Sequence, residues 1–175
     1  IPGENGPITV EIGQDGKGKV PNDKLPKKDV PGTGKITEPG KPAVEVPNVT
    51  TPAHQTPTLD VEQDPKTGDV TVTPKRPDGS TFPPGTKVEI PGENGPITVE
   101  IGQDGKGEVP NDKLPKKDVP GTGTVTEPNK KPSQPVDVTT PARKTPTVDV
   151  EQDPKTGDVT VTPKKPDGST YPPGT

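Results

Sequence analysis

The 175-residue sequence predicts an all-β fold, small β-sandwiches repeated in tandem, and three observations carry that expectation. Apolar residues alternate with polar ones at the strand period of two, as in Leu59 and Val61 against Asp60 and Glu62, and Val70 and Val72 against Asp69, Thr71 and Thr73. Clusters of Pro, Gly, Asn and Asp separate these short segments at close spacing. A shift of 89 residues, Thr56 to Thr145, lays the chain on itself: Ile1–Ile12 returns at Ile90–Ile101, Val30–Gly34 at Val119–Gly123 and Pro77–Thr81 at Pro166–Thr170. That period exceeds the roughly 20 to 50 residues of solenoid repeats, so each copy is expected to build its own core, as beads on a string do.

Composition limits that core. Thirty prolines and 21 glycines, with 20% hydrophobic and 1% aromatic residues, fall in the range of low-complexity disorder, so a disordered Pro-rich spacer stands as an alternative. The repeated alternation argues against it. A core of Val, Ile and Leu with one Phe or Tyr per copy is expected to be thin. A net charge of −4 with both signs interspersed offers no basic patch for nucleic acid. Without cysteine there are neither disulfides nor thiolate metal sites, and no apolar run reaches membrane-span length.

In chain order, Ile1–Gly6 reads as a strand end entering a Glu-Asn-Gly turn, Ile8–Ile12 as a strand and Gly13–Gly18 as a turn. Val20–Lys28 carries Pro21 and Pro26 and reads as an irregular edge, because proline cannot donate to a ladder. Val30–Gly34 reads as a turn feeding a short strand, Lys35–Glu38. The copies then diverge: Pro42–Asn48 differs from Lys131–Asp137 at every position, and its proline content suggests a stiff, extended joint. Thr56–Pro74 is the clearest signal of all, a β-hairpin closed by Asp64-Pro65-Lys66-Thr67-Gly68, where proline presets φ and glycine takes φ > 0. Phe82-Pro-Pro-Gly-Thr86 then leads into the strand Lys87–Ile90. These strands place a complete sandwich at 49–128, linkers at 40–48 and 129–137, the latter part of a repeat at 1–39 and the first part of another at 138–175. Ile1 and Thr175 correspond to Ile90 and Thr86, positions within or beside a strand, so the window is expected to come from a longer array.

The segments Thr145–Pro163, Pro166–Thr170 and Val119–Pro128 resemble the tandem stalk repeats, bacterial Ig-like or Rib-like, of Gram-positive cell-wall-anchored biofilm and adhesin surface proteins. The resemblance covers the whole chain and implies small Ig-like sandwiches strung into an elongated stalk that projects an adhesive domain. It implies an extracellular, cell-wall-anchored location, roles in adhesion, biofilm and virulence, and no catalytic residues. Other repeats of the same protein are the expected partners, with like chains on neighbouring cells or host ligands beside them. A directly adhesive or self-associating module is the alternative.

The chemistry-bearing residues point the same way. His54 is the one histidine and its counterpart is Arg143, so a solvated side chain is expected. Ser80, Ser133 and Ser169 lie in turn or linker contexts with no base repeated beside them, so no enzyme and no cofactor are expected. Asp60, Glu62, Asp64 and Asp69, with Asp15 and the Asn22-Asp23 pair, are the weak candidates for Ca²⁺, although none matches EF-hand spacing. Pro31-Gly-Thr-Gly34 is read as a turn and not a sorting signal, since it recurs internally and no apolar tail follows. Lysines in turns and linkers argue against an isopeptide bond, and Phe82 and Tyr171 are expected to plug the end of a thin core.

Overall fold

Alternating segments become strands in this chain where a partner strand lies beside them, and the two copies show this from opposite sides. The structure is a computed structural model describing residues 1–175, which divide into two units, Ile1–Gln55 and Thr56–Thr175. In the first unit β1 (Val30–Ile36) pairs antiparallel with β2 (Val44–Thr51). Ile8–Ile12, expected as a strand, takes no strand pairing there. Its counterpart in the second unit does, because a neighbour is present.

The second unit holds a complete repeat. The hairpin β3 (Thr58–Gln63) and β4 (Val70–Lys75) is joined by β7 (Gly107–Val109) into a three-stranded sheet. The other sheet runs in the order β6 (Ile97–Glu100), β5 (Lys87–Ile90), β8 (Val119–Thr126), β9 (Val136–Thr140). All pairings are antiparallel. A second hairpin, β10 (Thr147–Gln152) and β11 (Val159–Lys164), follows, and there is no α-helix, only 3₁₀ turns at Asn22–Lys24 and Asn111–Lys113.

Strand alternation puts one face of each sheet inward. Val70 and Val72 of β4 and Val109 of β7 meet Val88 and Ile90 of β5, Val99 of β6 and Val125 of β8, with Ile101 and Leu114 completing a set of nine buried apolar side chains. Leu59, Val61, Phe82, Ile97 and Val138 pack half-buried around them. The expected β-sandwich is present and its core is thin. The disordered spacer is thereby removed for the repeat.

Two expectations are corrected. Val30–Gly34 and Val119–Gly123 are strand, not turn. Their glycines serve close approach: a Cβ on Gly123 would lie 2.6 Å from the Glu89 carbonyl oxygen and 2.9 Å from Leu59 Cδ1. The segments read as linkers, 40–48 and 129–137, instead carry edge-strand residues, since β2 begins at Val44 and β9 at Val136. Their divergence follows from where each copy places its proline. Val30 faces Thr51 as Val119 faces Thr140, but beyond that Gly34 faces Val46 whereas Gly123 faces Val136, one residue out of step with the repeat. In the first copy Pro47 and Asn48, the latter at φ 61°, bulge out of the ladder. In the second, Gln134 and Pro135 stand outside the ladder, and Ser133 closes it by donating its N–H to the Val125 carbonyl at 2.8 Å. A residue without an N–H is placed where no donor is needed.

Candidate functional site

The most elaborate polar construction in each copy lies where the chain leaves the sandwich. Beyond β2 and β9 the backbone has no partner strand, so side chains satisfy its polar groups. The Asn22 side-chain amide donates to the Gln55 carbonyl at 2.8 Å and its oxygen accepts the Gln55 N–H at 2.7 Å. Asn111 grips Lys144 in the same two-sided way, both bonds at 2.8 Å. Upstream, Asp29 accepts the Ala53 N–H and Asp118 the Ala142 N–H, each at 2.8 Å. Between these grips the His54 and Arg143 N–H groups donate to the carbonyls of Pro26 and Pro115, again at 2.8 Å. Asn22 and Asn111 are each the first residue of their 3₁₀ turn. In the complete repeat the hairpin joins in: Gln63 Nε2 donates to the Ala142 carbonyl at 2.8 Å and the Gly68 carbonyl at 3.0 Å, and Asp69 accepts the Asn111 N–H at 2.8 Å. Beyond the grip only Thr56-Pro57 or Thr145-Pro146 precedes the next strand, at Thr58 or Thr147.

The four weak calcium candidates are not brought together. Asp60 and Glu62 point outward from β3, Asp64 accepts the N–H groups of Lys66 and Thr67 within the hairpin turn, and Asp69 is occupied with Asn111. No group of three His, Cys, Asp or Glu side chains is placed to hold a metal ion. Asp15 accepts the Lys17 N–H in a turn, and Asn22 belongs to the exit grip. The three serine hydroxyls are engaged locally: Ser80 and Ser169 donate to Asp78 and Asp167, each at 2.6 Å, and Ser133 accepts the Val125 N–H at 3.0 Å. Those hydroxyls, with further help from the Ser80 and Ser169 N–H groups, hold the Asp78 and Asp167 carboxyls below the usual range.

A second constellation ties the far end of the repeat. Arg76 donates through Nε and Nη2 to Glu127, at 3.2 and 2.6 Å, donates Nη1 to the Thr81 carbonyl at 2.8 Å, and lies 4.9 Å over the Phe82 ring. Lys130 also pairs with Glu127, whose side chain is 11% exposed. Lys130 first, and Arg76 after it, hold the Glu127 carboxyl below its usual range despite burial pushing the other way. Phe82 packs against the core as expected. In the last copy Lys165 stands in the place of Arg76, 5.8 Å over the Tyr171 ring.

One open depression lies along Pro120–Thr122 and Asp137–Thr139, and a second lies between the Glu93–Ile97 turn, Leu114 and Arg143. Thr122, which faces Asp137 across the β8–β9 ladder, lines the first. Side chains missed by the sequence reading are Asn111, Gln63 and Arg76; Asn111 returns as the counterpart of Asn22, but so does every residue of Val20–Gly34 at Val109–Gly123, so the repeat alone does not single it out.

A family model described as a bacterial Ig-like domain matches residues 52–143 and, a second time, residues 141–175. No curated protein and no solved structure matches the chain.

Proposed function

The chain belongs to the bacterial Ig-like domain family, and from that premise we propose that its repeats form the stalk of a bacterial cell-surface protein, projecting an adhesive domain and so supporting adhesion or biofilm formation. Such domains are generally non-enzymatic and extracellular. No helix here is long and apolar enough to cross a membrane. Anchoring of the parent protein to the cell wall is part of the proposal.

The observation that carries the reading is the exit grip. A spacer transmits position only if each unit hands the chain on from a fixed point, and Asn22 and Asn111 fix both backbone groups of the last residue before each Thr-Pro connection. Proline in that connection restricts φ and stiffens it further. Display between a wall anchor and an epitope tests the proposal. Epitope height above the wall should rise by a constant increment for each 89-residue repeat added. A rise with the square root of length, as a flexible coil gives, overturns it. Attachment that survives removal of the distal domain, and disappears when the repeats are exchanged for an unrelated rigid spacer of equal length, would instead favour a directly adhesive module.

A further inference from the structure

Between Pro52 and Lys144 five glycines take positive φ, and four of them are tied through their own amide. The N–H groups of Gly68, Gly79, Gly85 and Gly105 donate to the main-chain carbonyls of Asp64, Arg76, Ile101 and Gly102, at 2.8, 2.8, 2.9 and 3.1 Å. Gly95, at φ 120°, is the fifth, and its N–H donates to no acceptor. It follows Asn94, which is exposed and makes no side-chain hydrogen bond. The other side chains of this kind in the repeat are engaged. Asn111 is held through both its amide atoms, and Asp78 and Asp104, which also precede glycines, accept the N–H groups of Ser80 and Lys106 at 2.9 and 3.1 Å. The same Asn-Gly turn recurs at Asn5-Gly6, with Gly6 at φ 122°.

We propose that Asn94-Gly95 is a site of self-modification, at which the asparagine converts to aspartate and isoaspartate through a cyclic imide. The Gly95 nitrogen, once solvent base has taken its proton, bonds to Asn94 Cγ. The Cγ–Nδ2 bond breaks, and the leaving nitrogen takes a proton back from solvent and departs as ammonia. Water then opens the five-membered ring: addition at Cγ gives aspartate, and addition at the main-chain carbonyl gives isoaspartate, whose backbone runs through Cβ and Cγ. Water is the one co-reactant, and nothing is oxidised or reduced. Glycine suits the step because no Cβ shields its nitrogen. The place of the turn decides the consequence. It joins β5 to β6, Ile90 facing Ile97, and so carries Val88, Ile90 and Val99 into the core. The turn has no slack: a Cβ on Gly92 would stand 2.4 Å from the Gly95 carbonyl oxygen, and Glu93 is fixed by accepting the Lys116 N–H at 2.9 Å. Isoaspartate adds an atom to the main chain at this point and loosens the β5–β6 connection. Aspartate adds only a charge, on the rim of the depression that Arg143 also lines, and Arg143 Nε has no hydrogen-bond partner.

The test uses the 175-residue chain with Asn5→Gln, which leaves Asn94-Gly95 as its single Asn-Gly pair. One sample is aged folded and another unfolded in guanidinium chloride, both in warm, mildly alkaline buffer, and peptides are mapped by mass and by labelling with an isoaspartate-specific methyltransferase. The peptide holding residue 94 should gain about 1 Da and take up label, and Asn94→Gln should abolish both. The ratio of folded to unfolded rates cancels intrinsic reactivity. It should lie within about threefold of one at Asn94, and at about one tenth or less at the tied pairs Asp78-Gly79 and Asp104-Gly105. A residue 94 that stays unmodified in the folded chain, or is protected there as strongly as Asp78 and Asp104, overturns the proposal. The aged isoaspartyl fraction should also melt below the fresh chain, whereas Asn94→Asp should melt with it. Equal melting of the isoaspartyl fraction and Asn94→Asp overturns the claim that the added main-chain atom, and not the charge, loosens the turn.

Discussion

At the scale of single residues, Arg76 and Glu127 join parts of the chain 51 residues apart, and their environments set how the repeat responds to acid. The Glu127 carboxyl is held below the usual carboxylate range in the folded state, chiefly by Lys130 and then by Arg76. A depressed carboxylate contributes stability above its unfolded pKa and loses that contribution as pH falls through the folded one. The melting temperature should therefore drop as pH is lowered from about 5 towards 3, and Glu127→Gln should make that slope shallower. The slope does not vanish, because Asp78 is depressed as well, through the Ser80 hydroxyl and N–H. Arg76→Ala removes the ion pair and the cation over Phe82 together, and a loss of about 1–3 kcal/mol in denaturant titration is expected. Unchanged stability would show that Arg76 is held in place by its neighbours without contributing to them. The turn position shared by Gly40 and Asn129 makes a related point: both take positive φ, 75° and 60°, so the copies differ there within the narrow set of residues that such a backbone accepts.

At the scale of elements, the β3–β4 hairpin was legible because two independent signals agree, period-two alternation in both arms and a turn whose Pro65 and Gly68 have separate backbone reasons. Gly68 sits at φ 80°, and a Cβ there would stand 2.3 Å from Asn111 Oδ1. Gly68→Ala should thus cost more than turn strain alone. It strains the loop and displaces the side chain that holds Lys144, and about 2 kcal/mol or more of destabilisation with slower refolding is expected in stopped-flow measurements. Asn111→Ala in the same experiment separates the two contributions, since it removes the grip and leaves the turn intact. β1, β8 and the edge strands β2 and β9 were less legible. Pro-Gly-Thr-Gly reads as a turn by composition, yet those glycines lie in a strand whose neighbours leave no room for Cβ atoms. Divergence between copies reads as a linker, although an edge strand with one solvent-facing side tolerates exchange and needs only a place for its proline. The exit grip was beyond local pattern altogether, since Asn22 and Gln55, or Asn111 and Lys144, are separated by 33 residues and meet only in the folded unit.

At the scale of the whole molecule the open matter is where one repeat stops, and it turns on what β9 contributes. The nine buried side chains of the complete repeat form a core with little reserve, so the loss of any covering strand is expected to be felt globally. β9 places Val138 against that core, buries Thr140 and covers the glycine-lined stretch of β8 at Gly121 and Gly123. The chain immediately after it carries the bonds from Asp118, Gln63 and Asn111. A fragment ending at Pro128 loses all of these and leaves β8 as a free edge. A fragment from Pro52 to Lys144 keeps them and omits the chain before Pro52 and the segment that begins with the following hairpin. Urea titration of the two fragments followed by far-ultraviolet circular dichroism separates the registers: 52–144 should unfold in one cooperative transition, whereas 49–128 should show no such transition. Cooperative unfolding of 49–128 with equal stability would mean that β9 is dispensable. The divergent stretch would then be a joint after all, and the sandwich would close with six strands.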